Sequence, residues 1–269
     1  LRISGYGQTG PDRDKPGFGV LGEAMGGLRH LSGEPGRVPV RVGVSIGDSL
    51  AALHGVIGVL TALRHREVNG GQGQVVDVAL YEAVFNVMES LLPEYDAFGA
   101  VRQASGSALP GISPTNAYPC NDGQYVLVAG NGDSIFRRLM HAIDRPDLAD
   151  DPDLVHNEGR VRRCDEIDAA IGAWTVQRSR SEVQAVLDAA AVPAGRIYNV
   201  ADIAADPQYR ARGMIVDVTA GDGQPLKVPG IVPKLSTTPG TIAHAAPSLG
   251  QHDAELKAAS PGRWPARRG

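Results

Sequence analysis

The sequence predicts an α/β fold in two modules. Three observations carry that expectation: strand-length apolar runs alternate with helical periodicity, a polar Gly/Ser/Pro connection at 99–115 interrupts the pattern, and 269 residues can bury two cores. Glycine and proline crowd residues 1–47, which read mostly as loops with a strand or two, 38–46 being one candidate. From 49 to 67 apolar residues fall at Leu50, Leu53, Ile57 and Leu60, flanked by Val56, Val59 and Leu63, the period of a core-facing helix. Gly55 and Gly58 inside it cost about 1 kcal/mol each relative to Ala, which predicts close backbone packing against a neighbour. Asp48 is placed as the N-cap, Arg64, His65 and Arg66 suit the negative end, and Asn69-Gly70-Gly71 ends the helix.

A short strand follows at 75–79, then a helix through Leu80, Ala83, Val84, Val87, Met88 and Leu91 that ends near Pro93. Beyond the connection, Asn121-Asp122-Gly123 turns into a strand at 124–129, and Asp133 caps a helix carrying Ile135, Phe136, Leu139 and Met140. Ile167, Ala170, Ile171 and Trp174 mark another helix, and Ser181 caps one through Val183, Val186 and Leu187. Phe136, Met140 and Trp174 read as core. After Pro193-Ala194-Gly195 come a short strand, a helical turn at 200–205, and strands at 214–218 and 226–228. Pro229, Pro233, Pro239 and Pro247 then mark an extended return, and the basic end, 260–269, is expected to fray.

Composition excludes several function classes. A net charge of −4 gives no basic footprint for nucleic acid, and no run approaches the ~18 apolar residues of a membrane span. Cys120 and Cys164 lie far apart with no C-x-x-C, so neither a zinc site nor a disulfide framework is suggested, and a reducing cytoplasm is the default. The opening Leu1-Arg2-Ile3 has neither an initiator Met nor signal-peptide regions and reads as cut from a longer chain. No histidine pair has metal-ligand spacing, no G-x-S-x-G elbow occurs, and Gly5, Gly7 and Gly10 do not form a phosphate loop.

Carboxylates remain, and Asp48 stands out. It follows Gly47 at the head of a long apolar helix, where free N–H groups and the positive dipole end favour an anion and an oxyanion forming on it. Gly47 leaves room for a bulky thioester. Two readings stay open on local pattern: a cap worth about 1 kcal/mol, or a reactive carboxylate.

A series of motifs shifts that balance. Arg2-Ile3-Ser4-Gly5-Tyr6-Gly7-Gln8-Thr9-Gly10-Pro11, Ala24-Met25-Gly26-Gly27, Gly43-Val44-Ser45-Ile46-Gly47-Asp48, Ala62-Leu63-Arg64-His65-Arg66 and Gly70-Gly71-Gln72-Gly73-Gln74-Val75-Val76-Asp77 stand in sequence. Downstream follow Arg145-Pro146-Asp147-Leu148, Val192-Pro193-Ala194-Gly195 and Ala211-Arg212-Gly213-Met214. Together they resemble the family III CoA-transferases, which include formyl-CoA transferase and the carnitine-associated CoA-transferase.

The resemblance implies a partial Rossmann-like large domain (1–112) carrying the catalytic Asp, an inserted smaller α/β domain (113–199), and a return segment with C-terminal tail (200–269), without an N-terminal Rossmann half. It implies Asp48 as the nucleophile of an acyl-CoA:carboxylate CoA-transferase working through an aspartyl anhydride and an aspartyl-CoA thioester. Tyr6, Gln8 and Gly47 would lie near the acyl-CoA, with Gly130, Asn131 and Gly132 as a covering loop that a simple turn also explains. Tyr81–Phe85 and the Glu94-Tyr95-Asp96 vicinity resemble the branch using dicarboxylic donors such as succinyl-CoA. Coenzyme A enters as a substrate thioester, with no tightly bound cofactor and no metal. The complete protein is expected to be an interlocked homodimer binding a small carboxylic acid, without nucleic acid or membrane.

Two rivals are carried. An α-methylacyl-CoA racemase pairs an equivalent aspartate with a histidine, where this chain has Gly17-Phe18-Gly19, and phenylalanine is neither acid nor base unless His30 or His54 substitutes. The other rival is a non-catalytic CoA-binding fragment.

Overall fold

The computed structural model describes residues 1–259; the basic end at 260–269, expected to fray, lies outside the described residues. Two compact units divide after Arg196. In the first, β1 (Arg2–Ser4) is followed by α1 (Gly19–Met25), α2 (Leu28–Leu31), α3 (Ile46–Val68), β2 (Asp77–Ala79), α4 (Leu80–Phe85) and α5 (Leu91–Phe98). It continues through β3 (Thr115–Pro119), β4 (Tyr125–Ala129), α6 (Asp133–Ala142), α7 (Pro146–Ala149), α8 (Asn157–Arg162), α9 (Cys164–Thr175), α10 (Arg180–Ala189) and β5 (Ala194–Arg196). The second unit holds α11 (Val200–Ala205), α12 (Pro207–Ala211), the hairpin β6 (Ile215–Thr219) and β7 (Pro225–Pro229), and α13 (Asp253–Ala259). The α/β class predicted from the sequence is the one observed.

β1 and β2 pair in parallel, Ile3 opposite Val78, while β3, β4 and β5 form an antiparallel sheet with β4 in the middle. The larger core belongs to that second sheet. Val126 and Val128 of β4 meet Phe136, Leu139 and Met140 of α6, Ile167 and Ile171 of α9, and Val183 and Leu187 of α10, all 2% exposed or less. Trp174 packs against this core from its edge.

α3 departs from expectation in a way that bears on the site. It begins at Ile46, with Ser45 at the N-cap, so Asp48 occupies its first turn and is not its cap. The face it buries is made of small residues, Gly47, Ala51 and Gly55, spaced four apart and set against α1 and α4. Leu53, Ile57 and Leu60, which read as core-facing, are 61%, 62% and 61% exposed. Periodicity identifies an apolar face, not its cover, and none of the described residues covers this one. The glycines are closely packed, but by side chains and not by a neighbouring backbone: Cβ atoms at Gly55 and Gly58 would stand 3.0 Å from Leu1 Cδ2 and 2.6 Å from Val76 Cγ1. By length and composition α3 is also long and apolar enough to cross a membrane.

Other boundaries shift for local reasons. Residues 38–46 form no strand. The helix read from Leu80 to Pro93 is two helices, broken where Glu89 takes φ +53°, and Pro93 sits in the first turn of α5, where its missing N–H costs nothing. Ser179, not Ser181, caps α10, through a reciprocal capping box with Glu182.

Candidate functional site

The site is built where β1 ends and α3 begins. After Ser4 the chain turns at Gly7, φ +86°, whose N–H donates to Ser4 Oγ at 3.1 Å. Gln8 N–H donates to Asp77 Oδ2 of β2 at 3.0 Å, and its side-chain amide donates to Ser4 Oγ at 3.3 Å. This loop is therefore tied to the parallel strand pair, outside whose carboxyl ends open α/β sheets place their ligands.

The loop then crosses 13–19 glycine on glycine. A Cβ on Gly17 would stand 2.8 Å from Gly5 Cα and 3.2 Å from the Tyr6 ring. Tyr6 is half-buried there, its ring centroid 6.4 Å from that of Tyr81. Two residues on, Gly19 opens α1 against the head of α3: a Cβ on it would overlap the Asp48 carboxylate, 2.8 Å from Cγ, and one on Gly47 would stand 3.1 Å from Gly19 O. Gly47 and Gly19 are buried while Asp48 is exposed, and Asp48 makes no hydrogen bond or ion pair with any described residue. Asp48 is thus an unshared carboxylate in the first turn of a 23-residue helix, the end whose dipole favours an anion, with a bare glycine backbone on one side.

Segment 17–19 thus meets Tyr6 at Gly17 and Gly47 and Asp48 at Gly19, while Gln8 is held by Ser4 and Asp77. Gly130, Asn131 and Gly132 belong to the β4–α6 loop, and no described hydrogen bond or ion pair joins them to Asp48. Gly130 is wedged against Leu139 and Pro114. Asn131 O accepts from Arg160 at 2.7 Å. Arg160 is fully buried and donates five hydrogen bonds: to Asn131 O, to Asp133 Oδ1, and to the carbonyls of Ser113, Leu154 and Val155. That guanidinium, then His156, holds the Asp133 carboxyl below its ordinary range.

Sequence reasoning missed Gly17 and Gly19, although two glycines bracketing Phe18 are the pattern of a backbone that others approach closely. It also missed Arg160, which nothing local distinguishes from the neighbouring surface arginines. Among the described residues no group of three or more His, Cys, Asp or Glu is placed to hold a metal. His54, weighed as a second base, has its ring nitrogens 2.8 Å from Leu50 O and 3.1 Å from Asn86 Oδ1, and His30 is exposed on α2.

Strand pair, glycine crossing and helix-borne carboxylate belong to a mixed α/β protein. The chain belongs to CoA-transferase family III, whose sequence profile matches residues 1–253. It is 45% identical over 256 residues to a succinyl-CoA–D-citramalate CoA-transferase of Chloroflexus aurantiacus, covering 95% of this chain and 63% of that protein. It is 39% identical to the succinyl-CoA–L-malate CoA-transferase beta subunit of the same organism, covering 95% and 64%. A solved CAIB/BAIF family protein from Brucella suis superposes with a TM-score of 0.79 at 33% identity, over 96% of this chain and 66% of that one. The chain spans somewhat under two thirds of the length of the curated relatives it matches.

Proposed function

We propose that the complete protein is an acyl-CoA:carboxylate CoA-transferase with Asp48 as its nucleophile. The observation that carries the reading is the unshared Asp48 carboxylate set against Gly19 in the first turn of α3. Its oxygen attacks the thioester carbonyl, the C–S bond breaks, and an aspartyl anhydride and CoA thiolate form. The thiolate attacks the aspartyl carbonyl, releasing the first acid and leaving an aspartyl-CoA thioester. The acceptor carboxylate then attacks that thioester, regenerating thiolate and a new anhydride, and thiolate attack on its acyl carbonyl yields the new acyl-CoA and free Asp48. Each step exchanges one activated acyl bond for another, so the thioester's energy is conserved while water is kept out.

Tyr6 and Gln8 stand near the acyl group, and the Gly130–Asn131–Gly132 loop covers the site. The names of the relatives, which act on succinyl-CoA with citramalate or malate, support a dicarboxylic acyl-CoA as donor. The working form is a homodimer with interlocked chains, and the free cysteines fit a reducing cytoplasm.

The test is to incubate complete protein with succinyl-CoA and hydroxylamine or borohydride and map the modified residue. Modification at Asp48, absent in Asp48→Asn, is expected. Exchange of the α-proton without transfer would replace the reading with a racemase, and binding without either would leave a CoA-binding protein.

A further inference from the structure

Glu23 lies on α1 one turn after Gly19 and so on the same face. It is 1% exposed, and its Oε1 has no hydrogen-bond partner. Two guanidiniums approach it, neither closely: Arg29 Nη2 stands 3.5 Å from Oε2, and Arg41 Nε 3.8 Å from Oε1. Arg29 Nε is buried without a partner. Other guanidiniums in the same unit approach more closely, Arg145 to Asp147 at 2.7 Å and Arg163 to Asp151 at 2.6 Å. The Glu23 cluster is different in kind. It carries two positive charges against one negative, its pairings are slack, and Arg41 is half exposed. Such a group has donor capacity left over for a second carboxylate.

Its position suits one. Gly19 touches the Asp48 carboxylate, Glu23 lies about 6 Å further along the α1 axis, and Arg41 Nε stands 3.8 Å from the Glu23 carboxylate. The Arg41 guanidinium is therefore on the order of 10 Å from Asp48. A four-carbon diacid esterified at one end spans the same order of distance, allowing about 3 Å for the attacking oxygen and about 3 Å for an Arg–carboxylate hydrogen bond.

We propose that Arg41, oriented by the buried carboxylate of Glu23, binds the distal carboxylate of a dicarboxylic acyl donor. The inference rests on the CoA-transferase reading and names the residue that sets its substrate class. Glu23 is the positioning residue: its carboxylate attracts the Arg41 guanidinium, 3.8 Å away, and offsets part of the charge when no substrate is present. A monocarboxylic acyl chain of the same length would leave the cluster's donors facing an apolar methyl group, which disfavours that donor.

The experiment uses the complete protein in an Asp48→Asn background, which removes turnover, and measures Kd for succinyl-CoA and for butyryl-CoA, an equally long donor without the second carboxylate. Arg41→Gln is expected to weaken succinyl-CoA at least about tenfold and to leave butyryl-CoA within about twofold. Arg41→Lys is expected to recover part of the loss, because a charge remains though the planar fork does not. A purely structural Arg41 would weaken both donors together, and that result, like no effect on either, overturns the proposal. Failure of the transferase reading shows separately, as absence of labelling at Asp48 in the otherwise unaltered protein, while the succinyl-to-butyryl Kd ratio still decides the role of Arg41.

Discussion

Substituting Gly19 by Ala adds one methyl group at the point where α1 meets the candidate nucleophile. Gly19 has no positive φ, so Ala is compatible with its backbone and the only new feature is the Cβ. That atom would stand 2.8 Å from Asp48 Cγ and 3.1 Å from Oδ1, so the carboxylate must turn away. Overpacking in a closed core costs about 1–3 kcal/mol. Asp48 is exposed, however, and can rotate into solvent, while Gly→Ala in a helix returns up to about 1 kcal/mol. Stability should therefore stay within about 1 kcal/mol of the parent, read from urea denaturation. Activity should not follow, since a reacting group displaced by about 1 Å loses on the order of a hundredfold in rate. The assay is transfer of CoA from succinyl-CoA to a second dicarboxylic acid, beside hydroxylamine labelling of Asp48. Undiminished transfer by a well-folded Gly19→Ala protein would refute the claim that this contact sets the nucleophile.

Other consequences are equally direct. Ala51→Leu enlarges a fully buried residue on the small face of α3 and should cost about 1–3 kcal/mol, whereas Ile57→Gln on the exposed face should stay within about 0.5 kcal/mol in this 269-residue chain, both read by equilibrium denaturation. Arg160→Met strands four backbone carbonyls and Asp133, and should lower stability by more than about 3 kcal/mol, with faster amide exchange across 130–134. Asp133, whose folded pKa lies below the unfolded value near 3.8, contributes stability fully above that value and loses it as pH falls toward the folded one. Between pH 6 and about pH 3, the parent's denaturation midpoint should therefore drop further than that of Asp133→Asn.

What the sequence made legible follows from the range of the forces involved. The elements around α6, α9 and α10 are set by local periodicity and capping, and Phe136, Met140, Ile167 and Leu187 are core where their spacing places them. Asp48 stands out through its neighbours in the chain and the motif series around it, and the structure sets it in the first turn of α3. Gly19, 29 positions earlier, does not stand out, because its importance lies in a gap that only the folded crossing creates. α3 misled for a related reason. A helix with two faces able to pack, one of small residues and one of large, announces the large one more loudly by hydrophobicity, yet small residues permit the closest approach to α1 and α4.

That close approach has a chemical consequence. A carboxylate serves as a nucleophile only while its electron pairs are not committed to a cation, yet an isolated buried carboxylate would protonate and lose nucleophilicity. Burying the backbone at Gly47 and Gly19 while leaving the Asp48 side chain exposed and unpaired meets both requirements at once. The contrast with Glu23, on the same helix face as Gly19, follows the same logic. There the carboxylate is buried between two guanidiniums, which suits a group that holds other residues and not one that attacks. Under the proposed reading, the exposed Asp48 of α3, set against Gly19, and the buried Glu23 one turn further along α1 differ in burial and partners as bond-making and charge recognition require.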